Sequence, residues 1–147
     1  MRHTIRFLIA TLAFATACGG EKAADSAAAT AAPAAAIDPA TLDPKSITPA
    51  ELALGDSLFH GLIGATSCQA CHGPDAKGGA VAPNLTDAEW LHSDGSFGAI
   101  YKQIETGVMQ PKQFMGVMPP FGGAPLTPEK HRAVAAYVYS LSHPAGK

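Results

Sequence analysis

Cys68-Gln69-Ala70-Cys71-His72 puts two thiols and an imidazole within five consecutive residues. On one tight helical turn, two sulfurs so spaced can reach the two vinyl groups along one edge of a porphyrin. The adjacent His72 then brings a nitrogen beneath the metal, so the pattern predicts covalent attachment of haem c. Two other chemistries use paired cysteines. A thioredoxin-like dithiol needs a surrounding βαβ pattern, and structural zinc needs a second ligand pair at finger spacing. The sequence offers neither. A sixth ligand for iron has to come from elsewhere. Met118, in Val117-Met118-Pro119-Pro120-Phe121, is the leading candidate. A thioether raises the reduction potential relative to a second histidine, and the two prolines stiffen the loop by fixing φ. Met109 and Met115 are rival sulfurs, although methionine is ordinarily core filler; His92 or His131 would give bis-histidine ligation.

These groups need a scaffold, and its start and stop signals are legible. Thr48-Pro49-Ala50-Glu51 combines a hydroxyl N-cap, proline at the first helical position and a glutamate placed for a capping box. Leu52, Gly55, Leu58 and Phe59 then fall on one helical face, before Gly61 and Gly64 close the element. Thr127-Pro128-Glu129 repeats the start signal, His131, Val134, Ala135, Val138 and Leu141 keep the spacing, and Pro144 stops it. Asp87 to Leu91 and Phe97 to Thr106 read as two shorter helices, the second ending at Gly107. No period-two strand stands out, so the fold class is all-α: about four helices wrapped around one covalent haem.

The chain of 147 residues is one domain with a leader. Arg2 and Arg6 precede an apolar run from Phe7 to Ala17 that ends in small residues, the layout of a secretory signal. The run is too short to span a bilayer, which takes about 20 apolar residues. Ala15-Thr16-Ala17 suits ordinary signal peptidase, yet followed by Cys18 it also resembles a bacterial lipoprotein box. The expected organisation is therefore a signal peptide over 1–17, a lipid-anchored, Ala-rich disordered linker over 18–47, and a folded unit over 48–147. Acyl chains on Cys18 would anchor the protein on the periplasmic side of a bacterial membrane, each buried CH₂ contributing about 0.8 kcal/mol. Net charge is −2 with no basic stripe, which removes the electrostatic footing for nucleic acid.

From about Thr48 to His143 the chain resembles a class I c-type cytochrome. Within that superfamily, Ala82-Pro83-Asn84-Leu85-Thr86-Asp87, Trp90-Leu91, Val117 to Phe121 and Ala136 to Leu141 are similar to the haem domains in the diheme subunit of cbb-type cytochrome oxidases. The departure is one CxxCH in place of two, and no membrane helix. The resemblance implies an axial methionine in the Met118-Pro119 setting and a Pro83 carbonyl that accepts a hydrogen bond from the imidazole of His72. It also implies a close contact of Gly55 and Phe59 with Tyr137. Trp90 and Tyr101 are candidate donors to haem propionates, or packing residues without such bonds. Leu85 and Phe121 are expected to line the haem pocket and exclude water. The expected function is single-electron transfer by a monomeric carrier, with an oxidase, a quinol-oxidising complex or a periplasmic reductase as partner. The alternatives are a haem with a labile sixth ligand that binds or transforms a small molecule, and a subunit whose partner completes its pocket.

Overall fold

The computed structural model describes residues 36–144; the expected signal peptide, Cys18 and residues 18–35 of the expected linker lie outside them. Four α-helices follow one another: α1 (Pro49–Phe59), α2 (Gln69–His72), α3 (Phe97–Thr106) and α4 (Pro128–Ser142). No strand occurs among the described residues, where the β-structure is a single antiparallel bridge between Val108 and Met118.

The helices begin where side chains satisfy their first free N–H groups. Thr48 Oγ1 accepts from the Glu51 N–H at 3.2 Å while Glu51 Oε2 accepts from the Thr48 N–H at 3.0 Å, a complete capping box. Thr127 caps α4 through the Lys130 N–H, and Ser96 caps α3 through the Ala99 N–H. Proline opens both α1 and α4, at a position where no N–H is needed.

Packing of α1 on α4 forms the centre of the fold. Leu58 and Phe59 are fully buried against the unbroken buried run Ala133 to Ala136. The helices approach at Gly55, where a β-carbon would stand 2.1 Å from the Ala133 carbonyl oxygen and 2.7 Å from Tyr137 Cβ. One turn on, the rings of Phe59 and Tyr137 meet with centroids 5.4 Å apart. Helix α3 lies on another side of α4, burying Phe97, Ile100, Tyr101 and Ile104. Tyr101 stacks on the His131 ring at 3.5 Å, and the His131 Nε2 is 2.8 Å from the Tyr101 carbonyl. Each such apolar side chain removed from water contributes about 1.5–3 kcal/mol.

Two expectations are corrected. Asp87 to Leu91 is not a helix. Asn84 Oδ1 accepts from the Thr86 N–H and Asp87 Oδ1 from the Glu89 N–H, local side-chain bonds that compete with helix. The expected disordered linker also ends earlier than residue 47. Two 3₁₀ turns, Pro39–Thr41 and Pro44–Ser46, bring Ile37, Leu42 and Ile47 against the core. Asp38 and Asp43 cap these turns, and Arg132 of α4 reaches back to the Ser46 hydroxyl and to Glu51. Three large apolar residues in this short segment offset the entropy of ordering it once a surface is there to receive them.

Candidate cofactor site

The cysteine motif forms the one-turn helix α2, in which the Cys71 and His72 N–H groups both donate to the Cys68 carbonyl. Cys68 is half-buried, Cys71 is exposed and His72 is buried. Burial pushes the Cys68 thiol up to about 11, the opposite of the depressed value that a dithiol redox centre requires. The chain then closes a tight loop. The Gly78 N–H returns to the His72 carbonyl and the Leu85 N–H to the Ala76 carbonyl, each at 2.8 Å. Gly78 has φ +70°, and a β-carbon there would meet the Pro83 carbonyl carbon at 2.4 Å, so only glycine lets the loop fold flat on itself.

That return brings the Pro83 carbonyl oxygen 3.0 Å from His72 Nδ1. A carbonyl can only accept, so Nδ1 carries the proton and Nε2 keeps its lone pair for a metal. Burial lowers the His72 pKa, with the Pro83 bond pulling the other way, and a neutral imidazole is the ligating form.

Met118 is positioned by a different device. The Val108 N–H donates to the Met118 carbonyl at 2.8 Å and the Met118 N–H donates to the Val108 carbonyl at 3.0 Å. Gly107, the C-cap of α3, has φ +69°, and a β-carbon there would lie 2.4 Å from the Met118 oxygen. Beyond Met118, Phe121 takes a left-handed φ of 55°, an uncommon conformation for a bulky residue. Its ring stands edge-on to His131 at 5.1 Å.

Between these pieces lies an apolar cavity that opens to solvent. Cys68, Cys71, His72, Pro83, Leu85, Trp90, Met118 and Phe121 all line it. Tyr101 does not; its ring is on the His131 side of α3. Of the rival ligands, Met109 and Met115 are 64% and 93% exposed and neither lines the cavity. His131 is held by Tyr101, while His92 sits on the cavity wall. Sequence reasoning missed Thr66 and Gln103. Both line the cavity, and Thr66 Oγ1 and Gln103 Oε1 are the buried side-chain polar atoms without a hydrogen-bond partner among the described residues. A planar apolar group with polar substituents, gripped by two thiols at the rim and an imidazole beneath it, fits this donor set, and haem c is such a group.

Residues 55–138, more than half of the chain, match the family described as "Cytochrome C oxidase, cbb3-type, subunit III". The chain belongs to this family. It is 43% identical over 91 residues to the cbb3-type cytochrome c oxidase subunit CcoP of Rubrivivax gelatinosus, covering 62% of this chain and 26% of that protein. Over 79 residues it is 43% identical to the subunit FixP of Rhizobium meliloti (strain 1021), covering 52% of this chain and 27% of that protein. The chain therefore spans about a quarter of the length of the curated relatives it matches. In three dimensions it resembles cytochrome cL from Hyphomicrobium denitrificans, with a TM-score of 0.50 and 21% identity, covering 66% of this chain and 51% of that one. The shared fold is that of a cytochrome c. Membership of the subunit III family implies covalently bound haem c. No helix among the described residues is long and apolar enough to cross a membrane.

Proposed function

We propose that this cytochrome domain is a one-electron carrier holding a single haem c through Cys68 and Cys71, with His72 and Met118 as axial ligands. One observation carries the reading: an imidazole with Nδ1 already committed to Pro83 and a backbone-fixed methionine line the same apolar cavity, whose rim holds two thiols. When bound, haem supplies reversible one-electron chemistry at iron. The chain's own residues do the rest. Pro83 keeps the His72 proton on Nδ1. Leu85, Phe121 and the apolar faces of α3 and α4 exclude water, and low polarity around iron favours the reduced state. Two strong protein ligands leave no position for substrate, which separates this reading from gas binding or catalysis.

The same proposal extends to the sequence outside the described residues. A signal peptide ends at Ala17, Cys18 carries the lipid, and the segment that follows lets the domain move between redox partners on the periplasmic side of the membrane. An oxidase is the favoured partner, because the relatives are oxidase subunits by description.

Exported full-length protein should contain one haem per chain and show a sulfur-to-iron charge-transfer band in the ferric state. Met118→Ala should abolish that band; its persistence would move the ligand to another sulfur. Rapid stoichiometric binding of carbon monoxide to the reduced wild-type protein at neutral pH would replace electron transfer with ligand binding as the function. Cys18→Ser should release the protein from membranes, and continued association would overturn the anchor.

A further inference from the structure

The two loops that carry the proposed axial ligands touch each other directly. The Gly116 N–H donates to the Val81 carbonyl at 3.0 Å. A β-carbon at Gly116 would stand 2.5 Å from both the Val81 oxygen and Val81 Cγ1, so the backbones come this close only because no side chain intervenes. Gly116 lies two residues before Met118, and Val81 lies two residues before Pro83. Pro83 in turn accepts from His72 Nδ1 at 3.0 Å. A short path therefore runs from the imidazole through Pro83, Val81 and Gly116 to Met118. Every residue along it, Ala82 and Val117 included, lines the cavity.

Both ends of this path are held by the rest of the fold. On the histidine side, Gly78 packs against the Pro83 carbonyl carbon and the Leu85 N–H returns to the Ala76 carbonyl. On the methionine side, Val108 takes both backbone bonds of Met118. The Val81–Gly116 bond joins these two halves. It sets the spacing between the backbone behind the imidazole and the backbone behind the thioether. The methionine loop has a further tie, from Lys112 Nζ to the Leu91 carbonyl at 2.6 Å. That one is exposed, is made by a flexible side chain, and leads to a segment that carries neither proposed ligand.

We infer that the Val81–Gly116 contact is a clasp that couples the two axial ligands across the cavity, with Gly116 as its positioning residue. This rests on the reading of His72 and Met118 as those ligands. With the clasp closed, the sulfur leaves iron only by turning its own side chain against a held backbone. With it open, residues 109–117 can swing outward, and the vacated position admits a small ligand. The Val81 carbonyl is then released as well, and with it the neighbouring Pro83 acceptor of the His72 proton. Loss of the sixth ligand is thus felt at the fifth.

The test uses the haem-loaded full-length protein, with imidazole as the probe of the sixth position. Gly116→Ala drives a carbon into Val81. Imidazole should then bind the ferric form roughly two- to tenfold faster, the weight of one net hydrogen bond. In the reduced, diamagnetic form the His72 ring protons should shift. Two controls should leave those protons in place: Lys112→Met, which frees the same loop from Leu91, and Gly79→Ala, where nothing lies within 4 Å of a β-carbon. Faster imidazole binding with unmoved His72 protons, or an equal His72 shift in Lys112→Met, overturns the coupling. Unchanged imidazole binding in Gly116→Ala overturns it too. Hydrogen exchange in the ferric wild type decides if that variant loads poorly. The Gly116 amide should be protected, and should lose protection once imidazole is bound; the same exchange rate in both states overturns the inference. Loss of the charge-transfer band in Met118→Ala with no response in Gly116→Ala refutes the clasp alone, whereas survival of the band in Met118→Ala removes the reading beneath it.

Discussion

Adding one methyl group at Gly55 sets two calculable effects against each other. In an exposed helix interior, Gly→Ala stabilises by roughly 0.5–1 kcal/mol, since glycine loses more backbone entropy on folding. At Gly55 the new carbon would lie 2.1 Å from the Ala133 carbonyl oxygen and 2.7 Å from Tyr137 Cβ. Neither is the far end of a flexible side chain, so α1 and α4 have to separate by about an ångström or more to reach ordinary carbon–oxygen contact. That separation loosens Leu58 and Phe59 where they are fully buried. Overpacking of a tight core costs about 1–3 kcal/mol, sometimes more, and exceeds the propensity gain over most of that range. The expected net loss is about 1–2 kcal/mol, or a fall in Tm of roughly 4–16 °C for a domain of this size. Thermal unfolding of haem-loaded Gly55→Ala, followed by far-ultraviolet circular dichroism and by the haem absorption, gives the number. Gly79→Ala is the control, because nothing lies within 4 Å of a β-carbon there. A Gly55→Ala protein as stable as wild type, with the control unchanged, would refute the claim that this crossing depends on a missing side chain.

Four further outcomes follow from the same geometry. Both ring nitrogens of His60 lie 2.9 Å from carbonyl oxygens, of Asp56 and Pro74, an arrangement that only the doubly protonated ring satisfies, and its pKa is raised, chiefly by the Pro74 bond. Its stabilisation is therefore fully present below the unfolded histidine pKa of about 6.5 and is lost as pH rises through the higher folded value; unfolding measured from pH 5 to 9 should lose that slope in His60→Ala. Buried His131 has the opposite sign, its pKa lowered by burial, so it destabilises the fold as pH drops below about 6.5. His131→Phe should flatten this acid limb. Thr48→Ala removes the α1 cap and should cost about 1 kcal/mol in denaturant unfolding. Gly107→Ala pushes on the Met118 carbonyl, and its charge-transfer band should melt at a lower temperature than the helices do.

What could be read without coordinates was whatever a short stretch of chain decides for itself. The cap residues Thr48 and Thr127, the apolar faces of α1 and α4, and the spacing of Cys68, Cys71 and His72 are local, and the helices stand where those signals put them. Pairings made across the fold were not readable. The 3₁₀ turns at 39–46 are held by α3 and α4, and the Val108–Met118 bridge joins residues on either side of a loop. Asp87 begins like a helix cap, but the outcome depended on a competing turn. Tyr101 against Gln103 is the most instructive case. At about 100° per residue, they flank the Ile100–Ile104 stripe almost symmetrically, so periodicity alone gives no reason to prefer either for the cavity. His131 stacks on the tyrosine flank, and the glutamine flank is left to face the cavity.

The paired bonds between Val108 and Met118 bear on speed as well as on structure. A redox centre exchanges electrons quickly when its coordination shell scarcely rearranges between oxidation states. Here the Met118 N–H and carbonyl are both bonded to Val108, just beyond the C-terminus of α3. With Met118 as the ligand proposed above, the thioether would be delivered by a rigid arm, and the nuclear reorganisation that accompanies each electron would be confined to the side chain's own few torsions.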